Sequence, residues 1–461
     1  MKSLIFPVII LTACVGASCS GTRNLTRARI DLPQSVVPGA PADTLTAADL
    51  RWWDVYADTT LRYIISEALE YNRDFLKAAA RVEELAQLYG VQKLNYMPTI
   101  TGIAGETRET NDYYGKAHST DPEISLKATL NWEIDLWGGL TQSRRKAAAE
   151  YRASEYDMRA MQMTLIAECA TAYFNLVALQ SELSIVHRTM TTRSEALDKA
   201  KLRFEGGLTS ELTYQQAMVE YNTTAAMIPD LERRISLARN ALTLLMGRFP
   251  DTLEMTDMPS NVLAIAAELP DSLPLGVPSQ LLERRPDIQA AEQRLKAAMA
   301  ACGVAYSNQF PKLRIALTGG WENEEFAHFF HSPFSYLLGN ITGTIFDFGR
   351  NRRRYRSSIA AYDQARLGYE KAVIAAFTEV SNAVTAYSSA RQTAERRREL
   401  RDAAYKYVSL ANKQYIGGSI NYLDVLDAQR RYFDAQISYS NAVRDRFLAQ
   451  AMLYKALGGG W

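Results

Sequence analysis

The sequence has little of what enzymes and metal proteins use. Its 461 residues include 4 histidines and 4 cysteines, and no glycine-rich phosphate loop of the Walker type occurs. The histidines, His118, His187, His328 and His331, are not paired at metal-ligand spacing on a helix. Two of them share the stretch "FAHFFHS" at 326–332, which reads as an external loop. No catalytic residue, metal or cofactor is therefore expected. A formal charge of +1 removes any general attraction to nucleic acid. Basic clusters such as "RNRRRYR" at 350–356 and "SRRK" at 143–146 fall where strand becomes helix, at a membrane border or a solvated helix start. Long apolar runs are missing as well. Beyond the first residues nothing approaches the roughly 20 apolar residues of a spanning helix, so a membrane crossing would have to use strands.

The opening "MKSLIFPVIILTACVGASCSGTRN" has a lysine, an apolar run and small residues before cysteine, the layout of an export leader. Two cysteines compete as the lipid-bearing residue. Cys19 leaves an apolar core of workable length, and Cys14, the alternative, leaves only about 8 to 10 residues. Residues 1–18 are then the leader and 19–59 a polar tether and equatorial segment. An ordinary cleaved leader without lipid is the competing reading. Of the later cysteines, Cys169 and Cys302 lie too far apart along their helices, by roughly 33 Å, for a disulfide. Both are expected to be buried thiols.

Strand signals are concentrated in two places. In "EISLKATLNWEID" Ile124, Leu126, Ala128, Leu130, Trp132 and Ile134 alternate with Ser125, Lys127, Thr129, Asn131, Glu133 and Asp135. In "PKLRIALTGGWE" Leu313, Ile315, Leu317 and Trp321 oppose Lys312, Arg314, Thr318 and Glu322. Weaker partners at 98–109 and 336–347 complete two hairpins, with loops at 110–122 and 323–335. Segments of about ten residues with one oily and one wet face suit an outer-membrane barrel. Four strands cannot close one alone, since the smallest barrels have about eight. Three chains giving four each would make twelve.

The rest reads as helix, so the fold class is mostly α with membrane β. Proline-free runs from about Thr141 to Glu205 and from about Arg352 to Ile416 would each extend roughly 95 Å. Each ends at a glycine pair, Gly206 and Gly207 or Gly417 and Gly418, followed by a return helix at about 210–246 or 421–457. Shorter helices at about 60–94 and 279–305 precede the hairpins. Gly138 and Gly349, Gly206 and Gly417, and Gly247 and Gly458 are each separated by 211 residues. The chain is thus a tandem duplication: a first repeat at 60–247, a proline-rich linker at 248–278, a second repeat at 279–458 and an end segment at 459–461.

Taken together, "WEIDLWGG" (132–139), "LLERRPDIQAAEQRL" (281–295), "FDFGR" (346–350), "YLDVLDAQR" (422–430) and the stretch 52–84 resemble the TolC-like outer-membrane factors. The likeness is to the lipoprotein branch serving resistance-nodulation-division pumps. It implies a homotrimer with a shared twelve-stranded barrel in outer-membrane lipid, a long periplasmic helical barrel and a mixed equatorial band. Its expected work is passive exit of small molecules from an inner-membrane pump through a periplasmic adaptor. A duct for protein secretion and a non-channel coiled-coil surface protein are the alternatives.

Asp424 and Asp427 follow the second glycine pair, three residues apart on one helix face. In a threefold assembly they would form two carboxylate rings at the narrowest point, and the family resemblance places a periplasmic gate there. Plain capping of the helix is the competing reading. Tyr415 matches a family tyrosine that ties neighbouring helices. Ile420 stands where some members have an arginine, so that link is absent or replaced by Asn421. By the same resemblance, Gly206, Gly207, Gly417 and Gly418 form the tips that meet adaptor or pump. The first repeat has Thr213 and Gln216 where the second has the aspartates.

Overall fold

The structure, a computed structural model, describes residues 58–112, 114–115, 117–250 and 278–459, with Leu25, Ala28, Arg51 and Trp53. Cys14, Cys19, the leader and most of the linker lie outside the described residues. In chain order the elements are α1 (Thr59–Tyr71), α2 (Arg73–Leu94), β1 (Thr99–Asn111), β2 (Ser119–Ile134), α3 (Gly139–Glu205), α4 (Glu211–Ala225) and α5 (Met227–Leu245). The second copy follows as α6 (Pro278–Arg284), α7 (Pro286–Ser307), β3 (Lys312–Asn323), β4 (Pro333–Thr342), α8 (Arg350–Ile416) and α9 (Tyr422–Ala456).

Two compact units can be distinguished. Arg81–Glu155 and Ala290–Lys371 make one, and Tyr156–Gln289 with Ala372 onward and the chain leading to Ala80 make the other. Helices α3 and α8 contribute to both.

The strand-bearing unit holds one antiparallel sheet in the order β1-β2-β3-β4. Ile100 faces Leu130, Leu130 faces Leu317 and Leu317 faces Leu337. Residues directly opposite share a side, so these four make one apolar face, which Trp132, Ile315, Leu313 and Ile341 extend. Ile100, Trp132, Leu317, Leu337 and Ile341 are all exposed. The other face is polar. The hydroxyls of Thr129 and Thr318 lie 3.0 Å apart, Lys127 reaches Glu123 at 2.8 Å and Glu322 at 3.1 Å, and Glu133 holds Lys312 and Arg314. The alternation in the sequence is thus a real division of faces. The connections are shorter than expected, and β4 starts earlier. A 3-10 turn, Phe326–His331, buries Phe329 and brings the chain back into the sheet at Pro333.

Both long helices have 67 residues and start two residues earlier than the sequence suggests, because an aspartate caps each one. Asp135 accepts the backbone N–H groups of Leu140 at 2.9 Å and Thr141 at 2.8 Å, and Asp347 accepts those of Gly349 and Asn351, both at 2.8 Å. Both helices end alike. The Leu208 N–H donates to the Arg203 carbonyl at 2.7 Å and the Gly207 N–H to Phe204 at 2.9 Å, and Ser419 and Gly418 repeat this on Gln414 and Tyr415. This is the Schellman closure. The left-handed residue is the second glycine of each pair, with φ of 71° at Gly207 and 75° at Gly418.

Where single helices are expected, the structure has breaks. The first helix of each repeat divides at Asn72 and Arg285, and these two residues do equivalent work. Asn72 Nδ2 donates to the Leu245 carbonyl at 2.8 Å, and Arg285 Nη1 donates to the Ala456 carbonyl at 3.0 Å. Each side chain therefore closes the C-terminus of its repeat's return helix. Arg285 also binds Asp287 at 2.7 Å and Glu379 at 2.6 Å. Pro286, which follows it, disfavours helical backbone at this residue. The first return helix breaks again at Ala226, because Pro229 has no N–H to give the previous turn. In the second repeat Ser440 stands at that place and α9 runs unbroken through 35 residues.

The helical unit's core gathers Leu61, Ile64, Ile65, Tyr173, Leu176, Leu231 and Leu242. Phe174 and Phe447 stack at 4.3 Å, joining the two repeats. Burial is worth about 1.5–3 kcal/mol for each such side chain. The Tyr173 hydroxyl donates to Asp58, the cap of α1, at 2.6 Å. Cys169 and Cys302 are free and buried, and the Cys302 thiol donates to the Ser358 carbonyl at 3.1 Å.

Gly247 has φ 68°, and a Cβ there would lie 2.1 Å from the Tyr71 carbonyl oxygen, whereas Gly207 has φ 71° and open space around it. Gly207→Ala should therefore cost about 1–2 kcal/mol from backbone strain alone. Gly247→Ala should cost clearly more, and equal losses on thermal unfolding would refute the close packing. Burial pushes the Cys169 thiol up to about 12. The thiol form then persists well above neutrality. Iodoacetamide in mildly alkaline buffer should leave Cys169 unmodified in the folded protein and label it once the chain is denatured.

Candidate functional site at the helix turns

Because both long helices close on left-handed glycines, α4 and α9 run back beside the helices they follow. The last turns of α3 and α8 and the first turns of α9 line a cleft of about 530 Å³, with Lys199, Arg203, Tyr415, Ile416, Tyr422 and Gln429 among its walls. Arg203 Nη1 donates to the Tyr415 hydroxyl at 3.0 Å. This bond ties the end of the first repeat's long helix to the end of the second's. The Tyr415 and Tyr422 rings lie 5.6 Å apart. Burial, and then Tyr415, raise the Tyr422 phenol above its ordinary value.

The aspartates lie where the sequence puts them, on the first two turns of α9. Asp424 is exposed, and its Oδ2 accepts the Asn421 N–H at 3.1 Å. Within one chain it therefore caps the helix, the competing reading of the sequence. Asp427 is half-buried and takes Arg431 Nε at 2.7 Å. Asn421 is engaged with Asp424, and the guanidinium that reaches Tyr415 comes from Arg203, which the sequence reading missed. The clue lay one turn before Gly206, in the other repeat from the arginine's usual place.

A second missed feature lies further along the same helices. Arg193 on α3 and Glu220 on α4 are each only 6% exposed. Arg193 Nη2 meets Glu220 Oε2 at 2.9 Å, while Nη1 donates to the Glu220 carbonyl at 2.9 Å and to the Thr224 hydroxyl. Arg430 on α9 donates to Glu220 Oε1 through Nε at 2.6 Å. The Arg193 guanidinium lies over the Phe433 ring, 5.4 Å from its centroid. Burial pulls the Arg193 guanidinium below its ordinary value, and Glu220 opposes that pull. At positions 211 residues on, the second repeat has Ala404, Arg431 and Ala435 in place of Arg193, Glu220 and Thr224. The cluster therefore exists once and fastens α9 to the first repeat's hairpin of helices.

A duplicated chain with a lipid-suited sheet and long reversing helices belongs to the class of outer-membrane channels. The profile of the outer membrane efflux protein family matches residues 64–248 and 277–459, and the chain belongs to that family. It is 33% identical over 414 residues to the solvent efflux pump outer membrane protein SrpC of Pseudomonas putida, covering 88% of this chain and 87% of the relative. Among solved structures, the outer-membrane channel OprN superposes with a TM-score of 0.86 at 26% identity, covering 95% of this chain and 98% of that one. The open-state MtrE outer membrane channel of Neisseria gonorrhoeae gives 0.83 at 28% identity, covering 94% and 97%. The fold is TolC-like, and the protein is an outer-membrane efflux channel.

Glu220→Gln would leave the buried Arg193 without its carboxylate. A loss of about 3–5 kcal/mol is expected. Replacing the pair together, Arg193→Met with Glu220→Leu, should cost far less. Thermal unfolding checks this, and a double variant as unstable as Glu220→Gln would contradict the ion-pair account.

Proposed function

We propose that this chain is the exit duct of a tripartite efflux system, taking small apolar or amphiphilic compounds from an inner-membrane pump through a periplasmic adaptor. The observation that carries the reading is the sheet: an apolar face opposite a salt-bridged polar one, with β1 and β4 as outer strands that have no further neighbour among the described residues. In lipid every backbone polar group must be paired, so such a sheet has to close with others. A homotrimer sharing twelve strands meets that need, with the β4 edge of one chain against the β1 edge of the next. Lipid attachment at Cys19, or alternatively Cys14, would add a second anchor. The efflux role in the name of SrpC supports small organic compounds as cargo.

In this reading the turns at Gly206, Gly207, Gly417 and Gly418 meet the adaptor or pump. Asp424 and Asp427, brought together by threefold symmetry, line the periplasmic aperture. Tyr415 and Arg203 hold α8 to α3 in the closed state, with Asn421 fixing the Asp424 rotamer through its backbone. Like charges so close repel one another, so closure needs Arg431 beside Asp427, the capping bond at Asp424 and the Arg203 to Tyr415 link working together.

Purified protein in a planar bilayer should show small, mostly closed single-channel currents. Asp424→Ala with Asp427→Ala should raise conductance severalfold, and Arg203→Ala should raise open probability. A failure of both proteins to form any channel would end the duct reading. In a deletion strain, loss of solvent or drug tolerance is expected. Loss of a secreted protein with tolerance intact would favour a secretion duct.

A further inference from the structure

Away from the helix turns, α3, α8 and α9 enclose a cleft of about 510 Å³ whose lining includes Ser181, Arg188, Arg401, Tyr405, Tyr432 and Ser440. A second cavity of about 260 Å³ shares Ile185, Arg188, Tyr432 and Gln436 with it, so the two adjoin. Their combined size is that of a small-molecule site.

The lining is basic. Arg188 and Arg401 face it from different helices, and among the described residues Asp402 is the one acid lining either cavity. Asp402 takes Arg401 through Nε at 2.8 Å and also through Nη2, and the Arg401 guanidinium sits 4.5 Å from the Tyr439 ring centroid. Among the described residues the Arg188 guanidinium has one long bond, 3.4 Å, from Nε to the Ser184 carbonyl. Both guanidiniums act electrostatically on the Tyr432 hydroxyl, which burial and Asp402 push the other way.

Ser440 adds an independent sign. It is 1% exposed, it lines the cleft, and its Oγ has no hydrogen-bond partner. A buried polar atom left unpaired is costly and calls for an explanation, which a bound ligand supplies. Packing of the duplicated wall does not explain the site, because the positions 211 residues from Arg188, Arg401 and Ser440 are Glu399, Met190 and Pro229. The second repeat's unbroken α9, with serine in place of that proline, puts a hydroxyl in the wall.

Guanidinium forks select carboxylate or sulfonate oxygens, and the Tyr405 and Tyr432 rings, 5.5 Å apart, offer apolar faces to a flat body. We propose that this cleft binds a small organic anion, a carboxylate or sulfonate carried on an aromatic or fused-ring body, with Arg188 and Arg401 holding the charge and Ser440 donating to it. An acidic protein segment would also meet the charge, but the size of the cleft and the tyrosine pair favour a compact aromatic ligand. The inference stands on one chain and does not require that the channel conduct.

The test is isothermal titration of the full-length assembled protein in lipid nanodiscs with 2-naphthalenesulfonate and its neutral counterpart 2-naphthalenemethanol. Saturable binding of the sulfonate is expected, roughly tenfold or more tighter than the alcohol. Arg188→Gln should abolish that preference and Arg188→Lys keep part of it. Ser440→Ala should weaken the sulfonate without lowering the thermal midpoint, since Ser440 has no partner to lose. Equal binding of sulfonate and alcohol, or sulfonate binding unaffected by Arg188→Gln, would overturn the proposal. So would a hexaglutamate peptide that binds through Arg188 where the naphthalenesulfonate does not, a result pointing to an acidic protein partner.

Discussion

Two helices of 67 residues are useful to a duct only if the chain can turn round at their far ends, and that reversal depends on a left-handed residue at Gly207 and at Gly418. A side chain there carries strain of about 1–2 kcal/mol, and without the turn the last carbonyls of the helix would stay unpaired. Once the turn is made, other features follow from it. The return helices lie beside the long ones, Tyr422 comes up to Tyr415, and Glu220 comes within reach of Arg193 and Arg430. The opposite ends of the return helices use the same device at Gly247 and Gly458. There the fit is tighter, because Asn72 and Arg285 dock on the helix ends.

Features that repeat along the chain were legible in the sequence. Period-two alternation marked β2 and β3, since each side chain meets either the apolar or the polar face, and the spacing of 211 residues marked the duplication. Features that depend on a single distant partner were not. The break at Asn72 looks like ordinary helix in a window of sequence, because what interrupts it is a carbonyl 173 residues away, whereas at Arg285 the following Pro286 was a local signal. Pro229 was visible and its missing N–H accounts for the break, yet the stretch 210–246 reads by its pattern as one return helix. Glu220 reads as a solvated glutamate on a polar helix. Only the fold, by bringing Arg193 and Arg430 to it, makes it a buried charge. The tyrosine's partner was legible by type but was sought on the wrong helix, since Ile420 fills the expected place and Arg203 supplies the guanidinium from the other repeat.

Duplication gives a wall of like parts, and the departures from likeness are concentrated on α9. Where the first repeat has Thr213, Gln216 and Pro229, α9 has Asp424, Asp427 and Ser440. The first repeat answers with charges of its own: Glu220 binds Arg430 of α9, and Arg203 binds Tyr415 just before the turn into α9. The bonds across the two copies are thus of two kinds. The Phe174 to Phe447 stack is apolar and deep in the core, where any sliding would open a void. The Glu220 to Arg430 and Arg203 to Tyr415 contacts are polar, each with one exposed partner or both, so water can replace what a shift of α9 removes.

That difference sets where the second repeat can move. A buried aromatic stack resists displacement because its surroundings are close-packed, whereas an ion pair with one hydrated partner loses far less when it parts. Helix α9 is unbroken through 35 residues, so any displacement of its first turns would be transmitted along its length and would be opposed by the burial of Val425, Leu426, Phe433 and Phe447. Those turns bear Asp424 and Asp427. The first repeat's return path is interrupted at Ala226, where α4 ends and α5 begins. Continuity in one copy and a break in the other are therefore one more departure from likeness, and it falls on the helix that carries the carboxylates.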